Sequence, residues 1–282
     1  MTNETKLMAG KRGLVMGVAN DHSIAWGIAR SLAAHGADVA FTYQGEAQLK
    51  RLKPLAASIG ATIMLPADVE DDAQLDAAFA ALKQQWGGLD FLVHAIAFSD
   101  KNELKGRYVD TSRANFVKTL SISCYSFTAV AHRAAQLMKG REGAMITLSY
   151  HGARQVMPNY NVMGVAKAAL EASVKYLAAD LGVDGIRVNA ISAGPMRTLA
   201  GSAVGGSRTM FKWIKGLSPL HKTVELDNLG GSALYLVSSL SAGVTGEVHY
   251  VDAGYNVMGV PSAAYLDSWA AEGGKIDETS DD

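Results

Sequence analysis

The stretch GLVMGVANDHSIAWG, residues 13–27, passes from a short apolar segment through a glycine into a helical pattern. The apolar residues before Gly17 predict a buried strand, and Ser23 is of a type that often begins a helix. Gly17 allows a sharp turn between the two, and the helix N-terminus then offers free amides and a positive dipole to a pyrophosphate. The stretch therefore predicts the first strand and helix of a nucleotide-binding α/β fold.

Two residues of the same stretch have narrower predicted roles. We expect Ser23 to cap the helix and to offer its hydroxyl to phosphate, and Gly27 to let the helix pack tightly on the sheet. The spacing differs from G-x-G-x-x-G, so an ordinary strand-to-helix turn explains the stretch equally well when it is taken alone. The rest of the chain has to decide between the two interpretations.

Apolar segments of similar length recur along the chain, with helical patterns between them. The seven candidate strands cover residues 13–18, 37–43, 61–67, 89–98, 144–150, 186–192 and 247–252. Alternation of strand and helix predicts parallel strands whose two faces are both covered by helices. We therefore predict a single-domain, Rossmann-like α/β fold over residues 1–260, with a doubly wound, seven-stranded parallel sheet.

Two segments interrupt the alternation of strands and helices. Residues 195–222 are rich in glycine, serine and basic side chains, and we interpret them as a mobile loop with a short helix that covers the substrate site. Residues 261–282 begin at Pro261 and end in DETSDD. We interpret this tail as a C-terminal surface extension that is partly disordered.

The composition excludes several classes of protein. The chain has 282 residues, 49% of them hydrophobic, with 26 basic and 27 acidic side chains, a balance that attracts neither nucleic acid nor an anionic membrane. The first residues lack the apolar core of a signal peptide, and no run of roughly 18 apolar residues could span a bilayer. A single cysteine, Cys124, rules out an internal disulfide and suits a reducing compartment. We expect a cytoplasmic protein without nucleic-acid or membrane partners.

The histidines do not form a metal-binding pattern. His22, His94 and His221 stand apart from other ligand-type residues at the spacings that metal sites use. We interpret them as a cap, a core residue and a surface residue, and we expect no metal.

The choice of cofactor depends on the end of the second candidate strand. Gln44 and Glu46 follow it, and an amide or carboxylate here suits free ribose hydroxyls, whereas an arginine would favour a 2'-phosphate. NADH is therefore expected, with NADPH less favoured because Lys50 and Arg51 follow within two helical turns. Asp68, with Val69 at the end of the third candidate strand, either flanks an adenine or caps the next helix.

The segment PNYNVMGVAKAAL, residues 158–170, contains Tyr160 and Lys167 seven positions apart. On a helix, seven residues turn through about 700° and rise about 10.5 Å, so the two side chains share a face but stand too far apart for a direct hydrogen bond. A ligand between them fits the spacing, with Lys167 on the ribose of a nicotinamide nucleotide and Tyr160 on a substrate oxygen. We also expect the ammonium to lower the pKa of Tyr160.

Tyr150 ends the fifth candidate strand, ten residues before Tyr160. It is a candidate for a second contact with the substrate. A tyrosine that only lines the pocket is the alternative, and proton supply through ribose hydroxyls and water would then replace it.

From residue 13 to about residue 254 the sequence resembles the short-chain dehydrogenase/reductase superfamily, and within it the enoyl-acyl-carrier-protein reductases of bacterial fatty-acid synthesis. Most of the superfamily carries Tyr-x-x-x-Lys, whereas this branch has Tyr-x6-Lys with another tyrosine about ten residues earlier. The segments that match are LSYHGARQVMPNYNVMGVAK (148–167), GVANDHSIAWG (17–27), FTYQ (41–44) and NAISAGPMRTLA (189–200).

The resemblance implies NADH-dependent reduction of the trans-2 double bond of an enoyl thioester carried on acyl carrier protein, by a homotetramer. Hydride reaches the β-carbon, and Tyr160 stabilises the enolate while Lys167 holds the ribose. The implied catalytic residues are Tyr150, Tyr160 and Lys167. The implied cofactor contacts are Gly17, Ser23, Ile24, Gln44, Asp68, Val69, Ile96, Lys167, Met196, Arg197, Thr198, Leu199 and Ala200. The implied substrate contacts are Ser99, Tyr150, Tyr160 and Met210.

Two departures from the pattern of the family concern the binding of the substrate and of its carrier. Ser99 stands where relatives have a small residue against the substrate, which predicts a slightly altered pocket. Of the basic cluster with which relatives bind the acidic carrier protein, Arg208 remains, helped by Lys212 and Lys215. A basic face that is merely solvated explains these three residues equally well.

Two other functions remain open at this point. A ketoreductase of the same superfamily would share the fold, but the chain lacks Tyr-x-x-x-Lys. A non-catalytic, NAD(H)-binding regulatory protein would have no need for both Tyr160 and Lys167.

Overall fold

Seven parallel strands form one sheet in a computed structural model that describes residues 6–196 and 207–271. The strands are β1 Arg12–Met16, β2 Asp38–Tyr43, β3 Met64–Pro66, β4 Phe91–His94, β5 Ala144–Tyr150, β6 Arg187–Ala193 and β7 Val248–Val251. Their order across the sheet is β3-β2-β1-β4-β5-β6-β7. The prediction of a seven-stranded, parallel, Rossmann-like sheet is confirmed.

Helices cover both faces of the sheet. The α-helices are α1 Ile24–Ala34, α2 Gly45–Ser58, α3 Asp72–Trp86, α4 Lys101–Leu104, α5 Arg113–Leu120, α6 Ser126–Met138, α7 Asn161–Gly182, α8 Ser207–Leu217, α9 Leu226–Val237 and α10 Ala263–Ala271. A π-helical turn, Ser121–Tyr125, joins α5 to α6, and 3₁₀ turns cover Tyr108–Asp110, His151–Ala153, Ser239–Ser241 and Tyr255–Val257. Within the described ranges, no helix combines the length and apolarity needed to cross a membrane.

The sheet separates two hydrophobic cores. Successive residues of β1 alternate between them, with Leu14 and Met16 in one core and Val15 in the other, because successive strand side chains point to opposite faces. All three are fully buried. Burial of both faces explains why the strands are apolar throughout rather than at every second position.

Strands β1 and β4 end side by side, at Met16 and His94. The apolar segments predicted later ends, at residues 18 and 98. Met16 pairs with His94 as the last matched pair of β1 and β4. Gly17 then adopts a φ of 97°, and a Cβ atom at this position would lie 2.1 Å from the Ala95 carbonyl oxygen. Only glycine allows the two loops to approach this closely, so the chain turns at the position that the sequence predicted.

The close contact made by Gly27 differs from the prediction. A Cβ atom on Gly27 would lie 2.8 Å from the Cβ atom of Leu226, the first residue of α9, so the glycine allows α1 to pack on a helix and not on the sheet. Gly230 of α9 is crowded in the same way by Ser31. The prediction was wrong about the partner because the sequence does not show which element covers the outer side of α1.

The C-terminal helix α10 packs against α8 through aromatic rings. The Trp213 ring lies 5.7 Å from the Tyr265 ring and 5.6 Å from the Trp269 ring, measured between centroids, and both contacts are edge-to-face. A Cβ atom on Gly216 would overlap the Tyr265 ring. Part of the predicted surface extension is therefore a helix bound to the segment that follows β6.

Candidate active site

The carboxyl ends of β1 and β4 form the point where the order of strands reverses, because β1 pairs with β2 on one side and with β4 on the other. In open parallel sheets this crevice is the usual place for a nucleotide. The loop after β1 leads to the N-terminus of α1, and β5 ends beside β4. All of the predicted site residues that the structure describes can be placed relative to this edge.

Ser23 occupies the N-cap position of α1, but its side chain does not cap the helix. Its hydroxyl accepts hydrogen bonds from the backbone amides of Ala19 and Asn20, each at 3.0 Å. The prediction that this hydroxyl caps α1 is therefore wrong, because the loop before the helix uses it to satisfy its own amides. The first amides of α1 remain available to a ligand.

Gln44 and Asp68 come together from the ends of β2 and β3. The Gln44 side-chain amide donates to the Asp68 carboxylate at 2.6 Å. Asp71, rather than Asp68, caps α3 by accepting from the amides of Ala73 and Gln74. The interpretation of Asp68 as a helix cap is thus wrong, and its carboxylate lies beside Gln44 after the end of β3.

Gln48 is a residue of this region that the sequence analysis missed. Its side-chain oxygen accepts from the Gln44 backbone amide at 2.7 Å, and its side-chain nitrogen donates to the Val18 carbonyl at 2.8 Å. It thereby joins the loop after β1 to the start of α2. The spacing of four residues from Gln44 on a helix was the only signal for this role.

The apolar residues of the predicted cofactor site lie on both sides of the sheet edge. Val69 and Ile96 pack against one core, and Ile24 and Met196 pack against the other. Arg197, Thr198, Leu199 and Ala200 lie outside the described residues. Met210 lies in α8, but its side chain is not among those described.

Tyr150 and Tyr160 form an edge-to-face pair with ring centroids 5.0 Å apart and an interplanar angle of 69°. Tyr150 is the last residue of β5, and Tyr160 immediately precedes α7 as its N-cap residue. Tyr160 therefore lies one residue before the helix that carries Lys167. Asn159 and Asn161, on either side of it, have φ values of 59° and 36°, a left-handed backbone that asparagine adopts more readily than most residues.

Two glycines that the sequence analysis did not single out make room for the Tyr160 ring. A Cβ atom on Gly152 would lie 2.5 Å from the Tyr160 Cδ1 atom, and one on Gly164 would lie 2.8 Å from the Gly152 carbonyl oxygen. The 3₁₀ turn after β5 and the first turn of α7 are therefore in direct backbone contact. No pattern in the sequence reveals that contact, because both glycines also fit an ordinary loop and helix.

Lys167 is buried, with 6% of its surface exposed. Its ammonium donates a hydrogen bond to the Leu148 carbonyl oxygen at 2.6 Å. Burial lowers the pKa of Lys167 to about 8, while the nearby Cys124 and Glu171 act in the opposite direction. The amine is thus mainly charged at neutral pH and is close to its titration range.

The two tyrosines are held in the neutral form. Burial raises the pKa of Tyr160 well above its ordinary value, and the adjacent Tyr150 raises it further. Burial also raises the pKa of Tyr150, with a smaller contribution from Tyr255. The expectation that Lys167 lowers the pKa of Tyr160 is wrong for this structure, because lost hydration dominates. Both phenols remain protonated and can donate hydrogen bonds.

Ser99 lies in the loop after β4, where other side chains engage its hydroxyl. The Thr119 hydroxyl donates to Ser99 Oγ at 2.9 Å, and Ser99 Oγ lies 3.4 Å from the Asn115 side-chain oxygen. This network joins the loop to α5. Ser99 therefore shapes the loop through its own hydrogen bonds.

The histidines occupy different environments. His94 is fully buried between the hydroxyls of Thr147 and Ser126, and burial lowers its pKa to about 3, which agrees with the predicted core role. His221 is exposed, which agrees with its predicted surface role. His22 is also exposed, and the N-cap residue of α1 is Ser23, so the cap role of His22 is wrong. Among the residues that the structure describes, no group of three histidine, cysteine, aspartate or glutamate side chains could hold a metal ion.

Comparison with known proteins gives matches along most of the chain. The family described as "Enoyl-(Acyl carrier protein) reductase" matches residues 17–256, a range that includes both the sheet edge and the tyrosine pair. "Enoyl-[acyl-carrier-protein] reductase [NADH] 2" of Rhizobium meliloti (strain 1021) is 64% identical over 260 residues, which cover 92% of this chain and 97% of the relative.

Solved structures are similar over much the same length. The crystal structure of FabI from Candidatus Liberibacter asiaticus is 58% identical with a TM-score of 0.89, and the match covers 91% of this chain and 99% of that one. An enoyl-(acyl-carrier-protein) reductase from Anaplasma phagocytophilum, in complex with NAD, is 55% identical with a TM-score of 0.87, and the match covers 91% and 96%.

Proposed function

Because the chain belongs to the enoyl-(acyl carrier protein) reductase family, we propose that its site reduces the trans-2 double bond of an enoyl thioester with NADH, in fatty-acid biosynthesis. One observation carries the proposal. The ring centroids of Tyr150 and Tyr160 lie 5.0 Å apart at the end of β5, and the buried Lys167 ammonium donates a hydrogen bond to the same strand. Two neutral phenols and a cation suit a reaction in which negative charge develops on a carbonyl oxygen.

The residues at the sheet edge fit a nicotinamide dinucleotide. Lys167 uses one of its three donors on Leu148, which leaves two for ribose hydroxyls. Gln44 and Asp68 offer amide and carboxylate oxygens, which suit free hydroxyls better than a phosphate. When bound, NADH supplies the hydride for the β-carbon of the acyl chain. The other proposed cofactor contacts are Gly17, Ser23, Ile24, Val69, Ile96 and residues 196–200.

The Tyr160 hydroxyl is the proposed donor to the thioester oxygen. A protonated phenol can stabilise the enolate that forms there, and one such donor is worth about 3 to 4 kcal/mol in related reactions. Tyr150 packs against the ring of Tyr160 and provides either a second donor or the wall of the pocket. Ser99 and Met210 are the further proposed substrate contacts.

Purified protein tests the reaction when it is incubated with NADH and either a crotonyl or an acetoacetyl thioester. We expect NADH oxidation, followed by absorbance, with the crotonyl thioester alone. Oxidation with the acetoacetyl thioester alone would instead establish a ketoreductase, and oxidation with neither would establish a binding protein.

Replacement of Tyr160 by Phe tests the role of its hydroxyl. Because the ring and its packing are retained, we expect kcat to fall roughly 100-fold while the Kd of NADH stays nearly unchanged. Tyr235→Phe is the matched control. Tyr235 lies near Arg187, the first residue of β6, and therefore at the amino ends of the strands, away from the proposed site. A large loss of NADH affinity in Tyr160→Phe would refute the assigned role.

The family also indicates how the substrate is presented, as a thioester on acyl carrier protein. Lys212 and Lys215 are exposed on α8. Their exposure suits both an acidic partner and a solvated face, so binding of the carrier at this surface remains a prediction. The cytoplasmic location and the domain boundary at residue 260 also remain predictions.

A further inference from the structure

A buried carboxylate lies next to the proposed site and has no part in the reaction proposed for it. Glu171 of α7 is 3% exposed. One of its oxygens accepts from the Ser149 hydroxyl at 2.7 Å, and the other accepts from Arg154 Nε at 2.7 Å. Burial of a carboxylate is costly even when it is paired, so its presence calls for a function beyond packing.

The position of Glu171 relates it to both Lys167 and Tyr150. Residues four apart on a helix lie on one face, so Glu171 lies about one turn after Lys167 on the same face of α7. Lys167 is hydrogen-bonded to Leu148, and Glu171 to Ser149. One face of α7 thus binds two consecutive residues of β5, and the next residue of that strand is Tyr150.

We propose that Glu171 is a positioning residue of the reductase, which fixes the strand end that carries Tyr150 and keeps the buried ammonium of Lys167 charged. The proposal rests on the function proposed above for Lys167 and Tyr150. Glu171 acts through these two residues and itself contacts neither substrate nor cofactor.

The electrostatic part of the proposal follows from the burial of Lys167. Its pKa is lowered to about 8 by burial, and Cys124 and then Glu171 oppose that shift. Without the carboxylate the pKa would fall further, and the amine would lose its charge nearer neutral pH. The other titratable or charged groups facing this pair are Cys124 from the π-helical turn, His94 from β4, Arg154 after the 3₁₀ turn and Tyr250 from β7.

The pH dependence of NADH binding tests the proposal, because a charged Lys167 is what holds the ribose. The Kd of NADH is measured by fluorescence from pH 6 to 9.5 in proteins that all retain Cys124, because this residue also acts on the pKa of Lys167. With Glu171 present, affinity should weaken as the pH rises through about 8. In Glu171→Gln, which keeps the shape and one acceptor, the same loss should occur at a lower pH.

Two control variants separate the charge effect from simple structural damage. Arg154→Gln removes a positive charge from the same network and should move the loss of affinity to higher pH. Ser149→Ala removes a hydrogen bond without changing any charge and should leave the pH of the loss in place. If Glu171 had only a structural role, the pH at which NADH affinity is lost would not move in opposite directions in Glu171→Gln and Arg154→Gln.

Equal pH profiles for Glu171→Gln and the parent protein would overturn the proposal. A loss of NADH affinity at lower pH in Arg154→Gln would also overturn it. If Glu171→Gln does not fold, the Arg154→Gln profile decides the matter alone. Binding is measured without turnover. A protein that binds NADH but does not reduce the crotonyl thioester would refute the proposed function, and its binding profiles would still decide the role of Glu171.

Discussion

Gly152 determines how closely the turn after β5 approaches the proposed donor. Any side chain on this residue would begin 2.5 Å from Tyr160 Cδ1 and 3.2 Å from Tyr150 Cδ1. Contacts between carbon atoms are favourable near 3.5 to 4.0 Å, so at least one ring would have to move. The tyrosine pair therefore depends on a residue that has no side chain.

Replacement of Gly152 by Ala should lower kcat with the crotonyl thioester by about 10-fold or more. The physical reason is that displacement of a donor by about 1 Å can remove much of its effect on the transition state. The Kd of NADH should change little, because the predicted cofactor contacts do not include this turn. Steady-state kinetics and a fluorescence titration measure the two quantities.

Gly231→Ala provides a matched control for the glycine substitution. Gly231 is exposed in α9, and a Cβ atom there would meet nothing within 4 Å. Alanine in a helix is favoured over glycine by up to about 1 kcal/mol, so this variant should keep full activity and unfold at the same or a higher temperature. Equal kcat values for both variants would show that the rings accommodate the extra methyl group.

The contact between α8 and α10 extends the fold beyond the family match, which ends at residue 256. Trp213, Tyr265 and Trp269 are each half-buried by the contact. Edge-to-face ring pairs contribute about 0.5 to 1.5 kcal/mol beyond the area that they bury. Because α8 packs on α10 through these rings, we expect α10 to restrain α8.

Replacement of Trp269 by Ala should loosen α8 without unfolding the sheet. We expect the backbone amides of residues 211–217 to exchange hydrogen roughly 3- to 10-fold faster, because the lost ring contact lowers the local free energy of opening. Leu266→Ala, at an exposed position of α10, is the control and should leave the exchange rate unchanged. Unchanged exchange in both variants would contradict a restraining role for α10.

Several large apolar side chains on neighbouring helices are exposed to solvent in the single chain. Val117 of α5 is 60% exposed, Tyr125 of the π-helical turn 60% and Tyr176 of α7 76%. Contiguous exposed apolar faces usually mark an interface, and closed symmetry is the usual form of self-association. The predicted homotetramer would bury these faces against a second copy of the chain.

Light scattering coupled to gel filtration measures the assembly directly. We expect a tetramer for the unaltered chain and smaller species for Tyr176→Glu, because a buried carboxylate without a partner is costly at an interface. Val109→Glu, at a site 69% exposed and outside α5, the π-helical turn and α7, should remain tetrameric. A monomeric parent protein, or equal masses for all three proteins, would contradict the assignment of this face.

The sequence was sufficient wherever structure follows from local pattern. Apolar segments alternating with helical periods predicted the parallel sheet, and Gly17 marked the turn at the point where the order of strands reverses. The pairing of Gln44 with Asp68 was not foreseen, but both residues were placed at the correct edge, because strand ends in a parallel sheet lie together. Tyr160 and Lys167 were singled out from their spacing, and their roles remain predictions.

Only the tertiary structure decided how those residues are held. It packed the ring of Tyr160 against Tyr150, Gly27 against α9, and Lys167 close to Leu148 and Glu171. It also reversed the expected shift of the Tyr160 pKa. The physical reason is common to all of these: contacts and hydration depend on which distant segments meet, and the periodicity of a single segment contains no information about its neighbours in space.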